Sequence, residues 1–191
     1  MTRSQVSAAV AGALLAGLGS ITAAQAAGWV VDPAKSRLGF TGQQTGAPFA
    51  GRFKTWSASI DFDPAKPETA HVVAVVDVIS ATTDDPQKDE AMPSADWFDA
   101  SSFAKATFAA TGFAPKGGDT YETQGMLTLR GVTKPATLAF TLTIAGDQAH
   151  AVGKAKLVRT DFGVGQGSWS TGDMVGLDVD VDMDVTATRK P

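Results

Sequence analysis

The chain has 191 residues, a formal net charge of −4 at pH 7, 43% hydrophobic residues and no cysteine, so thiolate metal sites, thiol nucleophiles and disulfides are excluded together. Its 16 basic residues are scattered among 20 acidic ones without a basic block, which argues against nucleic acid or an anionic membrane surface as a partner.

The first residues read as an export leader. Arg3 is the only charge, Val6 to Leu18 is an apolar run, and Ala24-Gln25-Ala26 offers a small-x-small cleavage site. The run is shorter than the roughly 20 residues that span a bilayer. Cleavage after Ala26 is expected, with the mature protein in the periplasm. Loss of residues 1–26 leaves 165, and because Arg3 goes with them the formal charge becomes −5. Residues 27–191 suit one domain under the usual range of about 100 to 200 residues.

Alternation of apolar and polar residues dominates the rest. It appears at Trp56, Ala58, Ile60 and Phe62, at Val72, Ala74, Val76 and Val78, in the run through Leu127 and Leu129, and at Leu138, Phe140, Leu142 and Ile144. It is clearest from Val175 to Ala187, where the odd positions are apolar and Asp178, Asp180, Asp182, Asp184 and Thr186 face the other way. A period of two over that length is a strand with one face on an apolar interior and one in water. Lys116-Gly117-Gly118-Asp119 and Ala145-Gly146-Asp147 punctuate the runs as hairpin turns.

Thr83 to Phe103 breaks the pattern. It carries Pro86, Pro93 and Asp96-Trp97-Phe98-Asp99 and reads as a loop with one or two short helical turns, the natural lid. Many strands with so little helix must hide their edges, and closure into an extended antiparallel eight-stranded barrel does so economically. Alternation alone fits a β-sandwich as well.

The aromatic supply is large for one small barrel. Phe40, Phe53, Trp56, Phe62, Phe108, Phe140 and Phe162 join Ile60, Val76, Leu127, Leu129 and Leu138 as candidates to line its interior. Phe49, Trp97, Phe98 and Trp169 come from turns and are the better candidates for touching a ligand. Arg159 and Asp161 share one face if the period-two pattern continues, and such a pair forms a structural ion pair as a rule. Lys88 and Asp89 carry the same ambiguity. Neighbouring members of the Asp row are about 6.5 to 7 Å apart, too far to converge on calcium. His71 and His150 stand apart with no His-x-His or Glu-x-x-His motif, so no metal site is expected. Gly-x-Ser-x-Gly is missing, and Gly163-Val164-Gly165-Gln166-Gly167 does not complete a dinucleotide fingerprint. No catalytic residues are assigned.

Several short motifs occur in a telling order: Phe40-Thr41-Gly42, Gly51-Arg52-Phe53, Ser80-Ala81-Thr82-Thr83, Lys88-Asp89, Asp96-Trp97-Phe98-Asp99 and Phe103 to Phe108. The Gly125 to Lys134 corner, Arg159-Thr160-Asp161-Phe162-Gly163 and Gly172-Asp173-Met174-Val175 follow. Their succession resembles the YceI family of exported, lipocalin-like isoprenoid-binding proteins. The resemblance implies a lipocalin-type barrel whose apolar tunnel holds a polyisoprenoid, such as a quinone or a prenyl-phosphate tail, and no further cofactor. Many members carry a His shortly after the opening Phe. Here the stretch is Gln43-Gln44-Thr45-Gly46-Ala47-Pro48-Phe49, so no head-group role of that His carries over. This variant looks like the subgroup associated with a b-type membrane cytochrome, which favours a quinone-like ligand. Head-group candidates are then Gln43 and Gln44 as neutral donors to a carbonyl, together with Lys88, Arg159 and Asp161.

The expected function is a periplasmic carrier for an isoprenoid lipid, as a monomer or homodimer, with no chemistry of its own. Two alternatives stand beside it: a docking module for a membrane b-type cytochrome, and an enzyme acting on a lipid or quinone through Arg159, Asp161 or Lys88-Asp89.

Overall fold

In the computed structural model, which describes residues 28–191, the chain forms twelve strands in one antiparallel sheet. They are β1 (Gly28–Val31), β2 (Arg37–Gln44), β3 (Ala47–Phe53), β4 (Trp56–Asp61), β5 (His71–Asp77), β6 (Ala81–Thr82), β7 (Lys105–Thr111), β8 (Ala114–Gly117), β9 (Thr120–Leu129), β10 (Val132–Ala145), β11 (Gln148–Val158) and β12 (Asp178–Arg189). One short helix, α1 (Pro86–Ala91), follows β6. The expected leader lies outside the described residues.

Six of the short strands are halves of three long, broken staves. β1 and β2 lie end to end along β12, through Trp29↔Arg189 for the first and Arg37↔Asp184 to Thr41↔Asp180 for the second. β3 and β4 form the next stave, pairing with β2 and β1 respectively, and β6 and β5 pair with them in turn. The second and third staves bend at one level. There Lys54 N–H donates to Ser80 O at 3.1 Å and Asp77 N–H to Thr55 O at 3.0 Å. β7, β9, β10, β11 and β12 complete a ring of eight staves that closes where β12 meets β1. The sheet is therefore the closed barrel, not two packed sheets. Closure gives every stave two neighbours, and one edge is left, at the short β6 and the part of β3 beyond it.

Turn chemistry sets the register. Thr45-Gly46 and Arg130-Gly131 each have two successive positive φ angles, 49° and 81° in the first and 50° and 73° in the second. That is the two-residue hairpin geometry whose twist suits flanking strands. Both hairpins lie at the same end of the barrel as α1 and the long β11–β12 crossover. The expected β12 is shifted: the strand runs from Asp178 to Arg189, and Val175 makes only an isolated bridge to Gln44. Its aspartates sit outward as a solvated, cross-strand paired row, with Asp182 on Arg37 at 2.8 Å and Asp184 on His150 at 2.7 Å.

The opposite end is solid. Trp29, Phe62, Phe113 and Phe140 are buried there with Ala70, Ala149 and Ala187, and Ile60, Val72, Tyr121 and Leu142 pack against them. The rings interlock: Phe62 stacks on Phe113 at 5.4 Å, Phe113 meets Phe140 edge-on at 5.1 Å, and Tyr121 stacks on Phe140 at 5.7 Å. The Trp29 indole N–H donates to Phe62 O at 3.1 Å, so the plug carries no orphan donor at that point.

Candidate ligand-binding cavity

Above the plug the barrel is hollow. A cavity of about 530 Å³ reaches from mid-barrel to the α1 end and is lined almost wholly by apolar atoms. Single staves contribute to both plug and lining. On β10 Phe140 belongs to the plug, while Leu138 and Ala136 line the cavity; on β12 Ala187 belongs to the plug, while Met183, Val181 and Val179 line it. The interior is therefore a blind pocket with one floor and one mouth, and not a channel open at both ends.

The pocket stays open because its aromatic rings lie against the wall. Phe40 faces Gly51 across the β2–β3 ladder, and a Cβ on Gly51 would stand 2.2 Å from the Phe40 ring. Phe49 faces Gly42 in the same ladder, where a Cβ would come within 2.9 Å of its ring. A large ring spread over a glycine fills little of the barrel axis. From Phe40 the aromatic lining climbs to the lid, with Phe53 5.3 Å away and Phe98 a further 6.2 Å beyond.

Two segments cover the mouth, and they are tied together. The Asp96 carbonyl accepts from the N–H groups of Gly165 and Gln166, each at 2.8 Å, and the rings of Trp97 and Trp169 meet at 5.6 Å. The helical segment is anchored to the barrel through Asp89. Its carboxylate accepts from the Thr82 hydroxyl, from Thr83 N–H at 2.7 Å and from the Thr83 hydroxyl at 2.9 Å. These bonds, Thr82 first, hold the Asp89 carboxyl below the usual carboxylate range. Asp85 caps α1 by accepting from Gln87 N–H at 3.0 Å, with Pro86 in the first turn. Asp85 also pairs with Lys88, whose ammonium lies 5.8 Å from the Phe49 ring centre.

Arg159 organises the other segment. It is only 4% exposed, and its N–H groups donate to backbone carbonyls: Nε to Gly176 at 2.8 Å, and the two terminal nitrogens to Val164 at 2.9 Å, Val175 at 2.6 Å and Trp169. The guanidinium also lies 5.3 Å from the Trp97 ring centre. Burial without a carboxylate partner pulls its pKa down. Gly165 has φ 85°, and a Cβ there would overlap an Arg159 nitrogen at 1.9 Å, so this position needs glycine on both counts.

The expected Arg159–Asp161 ion pair is not formed. Residues Arg159–Phe162 make a single 3₁₀ turn and not a strand, so the two side chains part company. Asp161 is exposed and pairs with Lys134 at 3.1 Å, outside the cavity lining. Of the other proposed site residues, the cavity brings together Phe40, Phe49, Phe53, Val76, Phe108, Leu127, Leu129, Leu138 and Phe162 with the mouth residues Gln44, Lys88, Trp97, Phe98, Trp169 and Arg159. Phe62, Phe140 and Ile60 are correctly inward but lie in or against the plug, below the floor. Trp56 is half-buried opposite Val76 and is not part of the lining, and Gln43 points to solvent. Sequence reasoning missed Met92 and Val164 at the mouth, since neither falls in an alternating run.

The lining has a definite chemical character. Among the described residues its only charged side chains are Lys88 and Arg159 and its only amides Gln44 and Gln87, and none of them brings a carboxylate, hydroxyl or imidazole to the lining. The polar groups gather at the mouth and the floor is apolar.

Comparison with known proteins gives a consistent picture. Residues 29–187 match the model of the YceI-like domain. A UPF0312 protein of Vibrio parahaemolyticus is 34% identical over 150 residues, covering 74% of this chain and 79% of its own. One from Shewanella baltica is 34% identical over 159 residues, covering 82% and 76%. Among solved structures, BcnA of Burkholderia cenocepacia superposes with a TM-score of 0.80 at 33% identity, over 83% of this chain and 99% of that one. A polyisoprenoid binding domain from Saccharophagus degradans shares the fold at 16% identity, with a TM-score of 0.67 over 87% of this chain and 99% of that one.

Proposed function

Because this chain belongs to the YceI-like domain family, we propose that it binds and carries an isoprenoid lipid, a polyprenyl chain or the tail of an isoprenoid quinone, in the periplasm after loss of residues 1–26. The observation that carries this reading is the blind apolar cavity of about 530 Å³ with its polar groups confined to the mouth. Such a site takes an amphiphile tail first. Its volume lies within the roughly 300 to 1,000 Å³ typical of pockets that enclose one small ligand. The fold shared with a polyisoprenoid binding domain supports the same ligand class.

The energetics suit a tail without a charged anchor. At about 0.8 kcal/mol per buried methylene, some fifteen carbons contribute roughly 12 kcal/mol gross. Association costs about 4 to 15 kcal/mol, so only a ligand that buries most of its tail is retained. A carrier role also agrees with the described lining residues, none of which offers a carboxylate, imidazole or hydroxyl to act as base or nucleophile.

The test is direct. Protein purified from the periplasm of its host is extracted with organic solvent, and the extract is analysed by mass spectrometry. An isoprenoid in near-stoichiometric amount is the expected result. An extract free of prenyl species, together with no binding of added prenyl lipids to the stripped protein, would refute the proposal.

A further inference from the structure

The geometry points to the β9–β10 hairpin as the clasp of the mouth, with Arg130 the positioning residue that sets how fast a lipid passes. For its cargo this rests on the carrier reading above; the clasp itself concerns only the chain. Residues 83–103 join β6 to β7, and residues 159–177 join β11 to β12. In the ring of staves β9 and β10 stand between β7 and β11, so the hairpin tip meets both covers of the mouth from the barrel side. The first cover is held at two points. Arg130 donates from one terminal nitrogen to Ala95 O at 2.7 Å, next to the Asp96 carbonyl that joins the covers. The Phe103 ring lies over Gly131, where a Cβ would stand 2.6 Å from it. The second cover is held from the same hairpin: Lys134 pairs with Asp161 at 3.1 Å, and a Cβ on Gly163 would stand 2.9 Å from the other terminal nitrogen of Arg130. One guanidinium therefore spans the seam between Ala95 and Gly163.

Arg130 suits that reach and does not suit the turn. Its φ is 50°, in the left-handed region where a two-residue hairpin favours Asn, Asp or Gly ahead of glycine. Its Nε is buried with no acceptor among the described residues, which costs free energy. Neither feature serves the hairpin; both follow from placing a long, planar donor between the two covers. Ala95 is exposed, so water takes the place of the guanidinium at its carbonyl when the contact breaks. Such a contact opens at modest cost, as passage of a cargo requires. Its release acts on both covers together, because the Asp96 carbonyl accepts from Gly165 and Gln166.

Arg130→Asn separates reach from turn: Asn suits the hairpin better than Arg and cannot span the seam. The full chain and this variant, stripped of lipid, are compared by thermal unfolding and amide hydrogen exchange. Both are then loaded with a prenyl monophosphate of four isoprene units, and its release into phosphatidylcholine vesicles is timed. The variant should unfold at the wild-type temperature or above it, while the amides of Gly165 and Gln166 exchange at least about fivefold faster, as loss of a hydrogen bond of ordinary strength implies. Release should quicken by a similar factor. Uptake should quicken with it and leave the dissociation constant little changed, since Arg130 does not line the cavity. Arg130→Lys, which keeps one donor, should recover part of the difference. The clasp is overturned if Arg130→Asn exchanges and releases at wild-type rates, or if its unfolding temperature falls along with its protection, which would make Arg130 a support of the fold. Should the probe bind neither protein, the carrier reading fails, and the exchange rates alone decide the clasp.

Discussion

At the scale of single residues, Arg159 shows how a buried cation is held without an anion. The backbone carbonyls of Val164, Gly165, Trp169, Val175 and Gly176 receive its N–H groups, so charge and desolvation are offset locally and the crossover segment is ordered round one side chain. Removal leaves those acceptors without a donor, at about 1–3 kcal/mol for each that water does not reach. Arg159→Met is expected to lower stability by about 3 kcal/mol in chemical denaturation. Arg159→Lys should recover only part of that, because one ammonium cannot span carbonyls reached by a planar fork. This arrangement was not legible in the sequence. Arg and Asp two apart suggest a pair only if the backbone is extended, and the 3₁₀ turn at Arg159–Phe162 turns them away from each other. The aromatic residues at the mouth were legible, because rings placed in turns between apolar strands have little else to pack against.

At the scale of elements, α1 is too short to be stable alone and is fixed by its attachments. Asp89 binds the end of β6, Asp85 caps the helix and holds Lys88, and Asp84 pairs with Arg52 of β3 at 2.7 Å. All three carboxyls are held below their usual pKa. A depressed folded-state pKa contributes stability above the unfolded value of about 3.9, and that contribution is lost as pH falls through the lower folded value. In acid below about pH 4, the amides of residues 83–92 should therefore lose hydrogen-exchange protection before those of the strands. Asp89→Asn should show part of that loss at neutral pH. Unchanged protection in both cases would mean that Asp89 does not anchor the helix. Strand positions were largely readable, since inward and outward residues alternate through β9, β10 and β12. The broken staves were not. β3 and β4 read as separate strands because the bend at Lys54-Thr55 depends on partners in the Val78–Ser80 turn, far along the chain.

At the scale of the whole molecule, the barrel divides into a solid half that stabilises it and a hollow half that serves a ligand. The alternation that revealed inward faces had no means of telling these halves apart, because Phe140 and Leu138 stand in the same row and only the rings of Phe62, Phe113 and Tyr121 decide which one is covered. The division predicts that delipidated protein keeps its tertiary circular dichroism and unfolds cooperatively. Phe113→Ala, which empties the middle of the plug, should cost about 3–5 kcal/mol by a similar amount in the lipid-free and lipid-loaded protein. A variant destabilised only when lipid is absent would count against the plug as the structural half. One consequence follows from the pairing of β1 with β12. Lys190 N–H donates to Gly28 O at 2.8 Å and Trp29 lies opposite Arg189, so both termini of the described chain emerge side by side at the plugged pole. A tag or tether fused at either terminus therefore leaves the entrance at the far pole unobstructed, and a barrel immobilised by such a fusion presents that entrance away from its support.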